Sequence, residues 1–234
     1  MTPIPVARLS ETTHVQQVVI VGSGGHGREL QSYLEDLRRN GEQVEFRGFI
    51  DDHRQRGKWN ESEILGDLET LAELLRAEAA ATLRFITAVG DNKVRRELVV
   101  RLSDIDETRL FPWTLRHPAS VVGRNVQIGA GTCLAPGSIV TTNAHIGSHC
   151  ILNVNTSVSH DSVIGDFANI NPGAVIAGNV QVGEGAYIGA GATLIDRVKV
   201  GEWSVIGAGA VVIDDIPAHV TAVGVPARVI KHHD

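Results

Sequence analysis

From Val122 onward, every sixth residue is Val, Ile or Leu: Val122, Ile128, Leu134, Val140 and so on to Ile206 and Val212, sixteen in succession without a gap. Two residues before each stands a small or β-branched residue, as at Ser120, Val126, Thr132, Ser138, Ala144 and Cys150. Glycine often follows, as at Gly123, Gly129, Gly147 and Gly165. An α-helix cannot use this period, because 3.6 residues per turn would scatter those side chains around its axis. Short strands joined by tight corners can, each hexad turning one aliphatic side chain inward. The pattern is the hexapeptide repeat of a parallel β-helix. Composition agrees: aromatic residues make up only 4% while glycine numbers 25, as suits a repetitive, turn-rich β architecture.

The front of the chain has another rhythm. "VVIVGSGGHGRELQSYLEDLRRN" reads as a buried strand, a glycine turn and a helix with Leu30, Tyr33, Leu34 and Leu37 on one face. "VEFRGFIDD" is a second strand, "LETLAELLRAEAA" a helix, "RFITAVGDN" a third strand and "KVRRELVVRLSD" another helix. Alternating strand and helix implies a small parallel sheet with crossover helices, a Rossmann-like unit over residues 18–108. "FPWTLRHPAS" then reads as an extended connector into a β-helix unit over residues 109–214. Residues 215–234 form a tail, and residues 1–17 read as a disordered leader without the apolar core of a secretory signal.

Gly22, Gly24 and Gly27 fit G-x-G-x-x-G between a strand and a helix, where backbone N–H groups can bind phosphate oxygens. The plainer reading is a tight turn. A complete dinucleotide-binding domain is disfavoured, because only three strands precede the repeat. Asp51 and Asp52 end the second strand on the same carboxyl edge of the sheet, where they could accept hydrogen bonds from a ribose or a base imide, or be a solvated strand end.

The formal charge of −6 argues against a nucleic-acid platform. No window approaches 18 uninterrupted apolar residues, so no transmembrane helix is expected. Cys133 and Cys150 form no metal or redox spacing, which suggests reduced thiols and a cytoplasmic protein. Ten histidines raise a metal reading, but His145, His149 and His160 occupy different hexad phases and no pair repeats at a coil interval. No metal is therefore expected, and His145 and His149 read as surface or interface residues.

Taken in order, a Gly-rich α/β unit, "FIDD", "AVGDN", "HPAS", hexads containing "SHD", and a closing "VGVPAR" resemble the NeuD/PglD-like sugar O- and N-acetyltransferases. The resemblance covers nearly the whole chain after residue 17. It implies a left-handed β-helix of about five coils, three hexads to a coil, and a homotrimer with active sites between adjacent prisms. It also implies transfer of acetyl from acetyl-CoA to a nucleotide-linked amino sugar, as in bacterial surface-glycan synthesis. N-acetylation of a 4-amino-4,6-dideoxy sugar is favoured over sugar O-acetylation. On the same resemblance, Gly24, Gly25 and His26 hold the nucleotide-sugar, with Asp51 and Asp52 near the base and Gly90 alongside. The general base falls on His160 and its carboxylate neighbour on Asp161. A histidine that contacts acetyl-CoA nine residues later in the family is Asn169 here. Further coenzyme contacts fall on Gly189-Ala190, Gly207-Ala208 and the tail residues Gly224, Pro226 and Arg228.

Elementary chemistry fits these roles. Amine acetylation needs a base near neutral pKa, and a carboxylate beside histidine stabilises the imidazolium. With 18 residues to a coil, Gly178 stacks one coil above His160 and leaves open space beside the imidazole for the coenzyme. Asn153, Asn171, Gly189 and Gly207 form a second column that would let a pantetheine arm approach the backbone, although corners alone favour the same residues. Val158 and Ile164 are inward positions, so His160 lies off the core column; a passenger on a surface turn is the plainer alternative. Two other classes stay open: a non-catalytic nucleotide-sugar-binding protein, and a nicotinamide oxidoreductase, which leaves the sixteen hexads unexplained.

Overall fold

The computed structural model describes residues 15–77, 82–106 and 108–233; most of the leader thus lies outside the described residues. The first unit runs β1 (Gln16–Val21), α1 (Gly25–Arg39), β2 (Val44–Ile50), β3 (Gly57–Trp59), β4 (Ser62–Gly66), α2 (Leu68–Ala77), β5 (Leu83–Thr87), α3 (Asn92–Ser103) and β6 (Leu110–Pro112). Its sheet has the order β3-β4-β2-β1-β5-β6, parallel except for the β3–β4 pair. Three strands were expected and six form. The extra ones are the short β3–β4 hairpin on one edge and β6 on the other. Pro112 ends β6, and an edge strand is where a proline without an N–H is tolerated. The supposed connector is therefore structured. The central strand β1 is buried from Val18 to Val21, and Leu30, Leu34 and Leu37 of α1 pack against it.

The hexads form a three-sided prism. Two-residue strands 18 residues apart pair in parallel register, as in Ser157↔Val175 and Val158↔Ile176. All sixteen aliphatic positions lie in its core; fourteen are buried, while Val122 and Ile128 pack against the first coils partly exposed. Tight corners need one residue in the left-handed region. Those residues recur along three edges: Asn125, Asn143, Asp161, Asn179 and Arg197 on one; Gly131, His149, Phe167, Gly185 and Trp203 on the second; Gly137, Asn155, Gly173, Gly191 and Gly209 on the third, with φ between 55° and 73°. Asn, Asp and Gly enter that region most easily, which explains their frequency here. The prism is closed above by an antiparallel pair, Val220–Val223 with Arg228–His232, that continues one of its faces. Among the described residues no helix is long and apolar enough to cross a membrane.

The two units meet along the second edge. Asn92 of α3 donates to the carbonyls of Gly185 and Ala186 at 2.9 and 3.2 Å. His149 corrects the expectation of a surface or intersubunit residue. It is buried within the chain, its ring stacked between Phe85 and Phe167 with centroids at 6.2 and 5.3 Å. Burial, reinforced by the Arg95 charge, lowers its pKa to about 4, so it is neutral at pH 7. His145, by contrast, is exposed.

Candidate active site

His160 and Asp161 stand at a corner of the first edge, and the corner dictates their geometry. Asp161 adopts φ 59°, which turns its carboxylate outward, and Nδ2 of Asn143, one coil below, donates to Asp161 Oδ1 at 3.2 Å. The other carboxylate oxygen lies 2.8 Å from His160 Nδ1. A carboxylate only accepts, so Nδ1 carries the proton, and in the neutral ring the lone pair is on Nε2. The hydrogen bond from His160, then that from Asn143, holds the Asp161 carboxyl below the usual carboxylate range. The imidazole is 54% exposed in the single chain.

Nε2 faces Gly178. A Cβ on residue 178 would stand 2.8 Å from Nε2, 2.7 Å from Cε1 and 3.1 Å from Asp196 Oδ1. The absent side chain is thus what makes room for the ring at this stacking level. Asp196, one coil further, accepts from the Gly178 N–H at 3.0 Å. Sequence reasoning passed over Asp196, although the eighteen-residue column His160–Gly178–Asp196 points to it.

The other candidate residues fall elsewhere on the prism. Ala190, Ala208, Gly224, Pro226 and Arg228 are exposed along the third edge and its upper end. Arg228 pairs with Asp214 at 3.3 Å. Gly189 and Gly207 have a reason in the fold itself. A Cβ on Gly189 would stand 2.5 Å from Ala208 N, and one on Gly207 would stand 2.7 Å from Val223 Cγ1. Coil packing therefore accounts for both glycines. Asn169 is buried at 3% exposure; Oδ1 accepts from Arg95 at 2.8 Å and Nδ2 donates to the Gly90 carbonyl at 2.7 Å. Within the single chain both ends of its amide are therefore engaged.

A cleft of about 420 Å³ opens at the carboxyl ends of β1, β2 and β5, with Gly22, Ser23, Gly24, Asp51, Asp52 and Gly90 among its walls. Ligands of open α/β sheets lie at such ends. Each turn glycine has its own reason. Gly22 takes φ 106°, and a Cβ on Gly27 would stand 2.2 Å from the Gly22 carbonyl oxygen, so helix and strand touch there. Gly24 and Gly25 have open space around them, and Gly24 caps α1 without a side-chain hydrogen bond. The N-terminus of α1 is therefore accessible to an anion. Gly25 and His26 lie just outside the walls, and His26 Nδ1 sits 3.1 Å from Glu29 Oε2.

Both aspartates have structural partners. Asp51 Oδ2 accepts from the backbone N–H and the hydroxyl of Ser23, and Oδ1 from His53 N–H at 2.9 Å. Burial pushes the Asp51 carboxyl up, but these hydrogen bonds outweigh it and leave the carboxyl below its usual range. Asp52 accepts from Leu68 N–H at 3.2 Å and from Arg101 at 2.8 Å. Around them, Trp59 Nε1 donates to the Ser23 carbonyl, and Arg54 lies 3.9 Å over the Trp59 ring. Among the described residues, no three His, Cys, Asp or Glu side chains are grouped to hold a metal ion.

Three comparisons with known proteins bear on this arrangement. The PglD N-terminal domain matches residues 17–102, and the six-repeat bacterial transferase hexapeptide matches residues 161–196 and 179–214. A UDP-N-acetylbacillosamine N-acetyltransferase of Bacillus subtilis is 36% identical over 123 residues, 51% of this chain and 51% of that protein, so the match spans about half the length of that curated relative. Among solved structures, a histidine mutant of perosamine N-acetyltransferase from Caulobacter crescentus, in complex with CoA and GDP-perosamine, superposes with a TM-score of 0.80 at 32% identity, covering 93% of this chain and 98% of that one. The acetyltransferase domain of PglB from Neisseria gonorrhoeae, in complex with acetyl coenzyme A, gives 0.79 at 27% identity, over 93% and 100% of the two chains. A PglD-type α/β unit, hexapeptide coils and this agreement over whole chains lead to one conclusion: the chain belongs to the PglD-like family of hexapeptide-repeat sugar acetyltransferases.

Proposed function

We propose that this chain is an acetyl-CoA-dependent N-acetyltransferase acting on a nucleotide-linked amino sugar of the 4-amino-4,6-dideoxy type, in bacterial surface-glycan biosynthesis. The observation that carries the reading is the half-exposed His160 imidazole, its Nδ1 held by Asp161 and its Nε2 edge seated in the room that the missing side chain of Gly178 provides. As the sugar nitrogen attacks the thioester carbonyl, Nε2 takes its proton and Asp161 stabilises the imidazolium. Collapse of the tetrahedral intermediate breaks the C–S bond, and the imidazolium returns its proton to the departing coenzyme thiolate. Cys133 and Cys150 are buried and form no covalent intermediate; burial raises both thiols to about 12.

The nucleotide-sugar occupies the α/β cleft, its diphosphate at the N-terminus of α1 beside Gly24, Gly25 and His26, with Asp51, Asp52 and Gly90 nearer the base. The coenzyme lies against Gly178 and along Ala190, Ala208 and Gly224–Arg228. Within one chain these parts diverge: the α/β unit docks on the second prism edge, His160 stands on the first and the coenzyme residues run along the third. A site assembled between copies in a homotrimer reunites them. The face between the first and third edges supports that assembly, because Val121, Ile139 and Val175 are exposed along it, with Ser157 standing between Ile139 and Val175. A cytoplasmic enzyme is the matching reading: acetyl-CoA is supplied there, and the free, buried Cys133 and Cys150 suit a reducing compartment.

The test is a panel of UDP-, GDP- and dTDP-linked amino sugars incubated with acetyl-CoA, following thiol release and product mass. Thiol release coupled to gain of one acetyl group on the amine is expected for at least one donor-acceptor pair. Acetylation of hydroxyl-only sugars instead would mark an O-acetyltransferase, and binding without turnover would mark a non-catalytic protein.

A further inference from the structure

Arg95 is fully buried, and every hydrogen-bond acceptor found for it among the described residues is a neutral oxygen. Nε donates to the His149 carbonyl at 3.0 Å, and Nη2 to the Phe167 carbonyl at 2.6 Å and Asn169 Oδ1 at 2.8 Å, all on the prism. Nη1 donates at 2.8 Å to the carbonyl of Val89, a residue of the nucleotide cleft. Asn169 reaches back across the same junction, giving its Nδ2 proton to the carbonyl of Gly90, the next residue of that wall. Two consecutive cleft carbonyls are thus clamped onto the β-helix, one by a guanidinium and one by an amide. A buried cation without a carboxylate is costly to desolvate and is tolerated only when its protons are satisfied in fixed geometry. Here the geometry being fixed is that of the cleft wall relative to the acetyl-transfer prism.

We propose that Asn169 and Arg95 are positioning residues for the nucleotide-sugar: they set the Val89–Gly90 wall of its cleft against the β-helix, and Asn169 does not bind the coenzyme. This rests on the proposed sugar-nucleotide function. It gives Asn169 a different task from the coenzyme contact that the family resemblance implied.

The experiment compares Asn169→Ala and Asn169→Asp with the parent chain, by steady-state kinetics in both substrates, thermal unfolding, and amide hydrogen exchange across residues 88–92. Alanine removes both hydrogen bonds; aspartate keeps an acceptor for Arg95 and loses the donor to Gly90. For both variants the KM for the sugar nucleotide should rise about tenfold, with the acetyl-CoA KM held within about twofold. Exchange across residues 88–92 should quicken in both. Asn169→Asp should retain the parent melting temperature while keeping the raised KM, which a merely structural residue would not do. A raised acetyl-CoA KM with an unchanged sugar-nucleotide KM would overturn the proposal in favour of a coenzyme contact. Lowered stability with both KM values and the exchange unchanged would overturn it too. A parent chain that turns over no amino-sugar nucleotide would sink the functional reading, and exchange across residues 88–92 would still decide whether the clamp exists.

Discussion

Placing a methyl group on residue 178 is the most local way to disturb the proposed base without touching it. In Gly178→Ala the new Cβ would meet Cε1 at 2.7 Å and Nε2 at 2.8 Å, so the ring must withdraw by roughly 0.7 Å to reach ordinary contact near 3.4 Å. Asp161 cannot follow, because the corner backbone at φ 59° and the 3.2 Å bond from Asn143 hold it. The 2.8 Å bond between His160 and Asp161 is then stretched or rotated. Misplacing a reacting group by about 1 Å costs on the order of 10²-fold, so kcat should fall between about 10- and 100-fold. Stability should change little, since His160 is half exposed and free to turn. The backbone of residue 178 is also outside the left-handed region, so alanine fits it without strain. Thiol-release kinetics with a parallel thermal melt read both quantities. In a His160→Ala background the same change should be nearly silent, because the two act through one group. A kcat within about twofold of the parent, with an unchanged pH profile, would refute the reasoning.

Other substitutions and a titration probe the remaining groups. Asp161→Asn keeps the left-handed corner, which Asn143 and Asn179 already occupy with asparagine, but removes the charge that supports the imidazolium. The kcat should fall about tenfold or more in the thiol-release assay. Asp51→Ala removes the acceptor for the Ser23 N–H and hydroxyl and should raise the KM for the sugar nucleotide roughly tenfold, leaving the acetyl-CoA KM unchanged in the same assay. His149, with a folded pKa of about 4 against 6.5 unfolded, favours the unfolded chain once protonated. Its contribution is fully present above pH 6.5 and is lost as pH falls from 6.5 through 4, so the melting temperature should drop across that window. In His149→Asn, which suits the same corner, the drop should be shallower.

Much of this was legible because the β-helix writes its core at a period no other element shares. The sixteen aliphatic positions read directly as inward residues, and the same ruler of 18 set Gly178 beside His160. Applied one coil further it would also have found Asp196. The glycine turn was legible for a different reason: Gly22 and Gly27 answer to backbone geometry, which sequence spacing records. What escaped depends on long-range placement. Strands β3 and β4 are short, mixed in polarity and stable only as an edge hairpin. Arg95 sits in "KVRREL", where helical spacing gives no hint that one arginine is buried and the next exposed. That difference arises only when α3 meets the prism. His149 was misread, and the burial of Asn169 went unforeseen, for the same reason: both are covered by a domain whose position the hexads do not encode. Gly189 was read as room for a ligand when the next coil's backbone already fills that space.

The central claim is that His160 supplies the base for acetyl transfer. It is tested most directly by measuring, on the amino-sugar nucleotide identified by the panel, turnover by the parent chain and by His160→Ala, with acetyl-CoA binding followed by calorimetry. The account predicts a fall in turnover of about 10²-fold or more with the coenzyme Kd unchanged. Near-normal turnover in His160→Ala would contradict it.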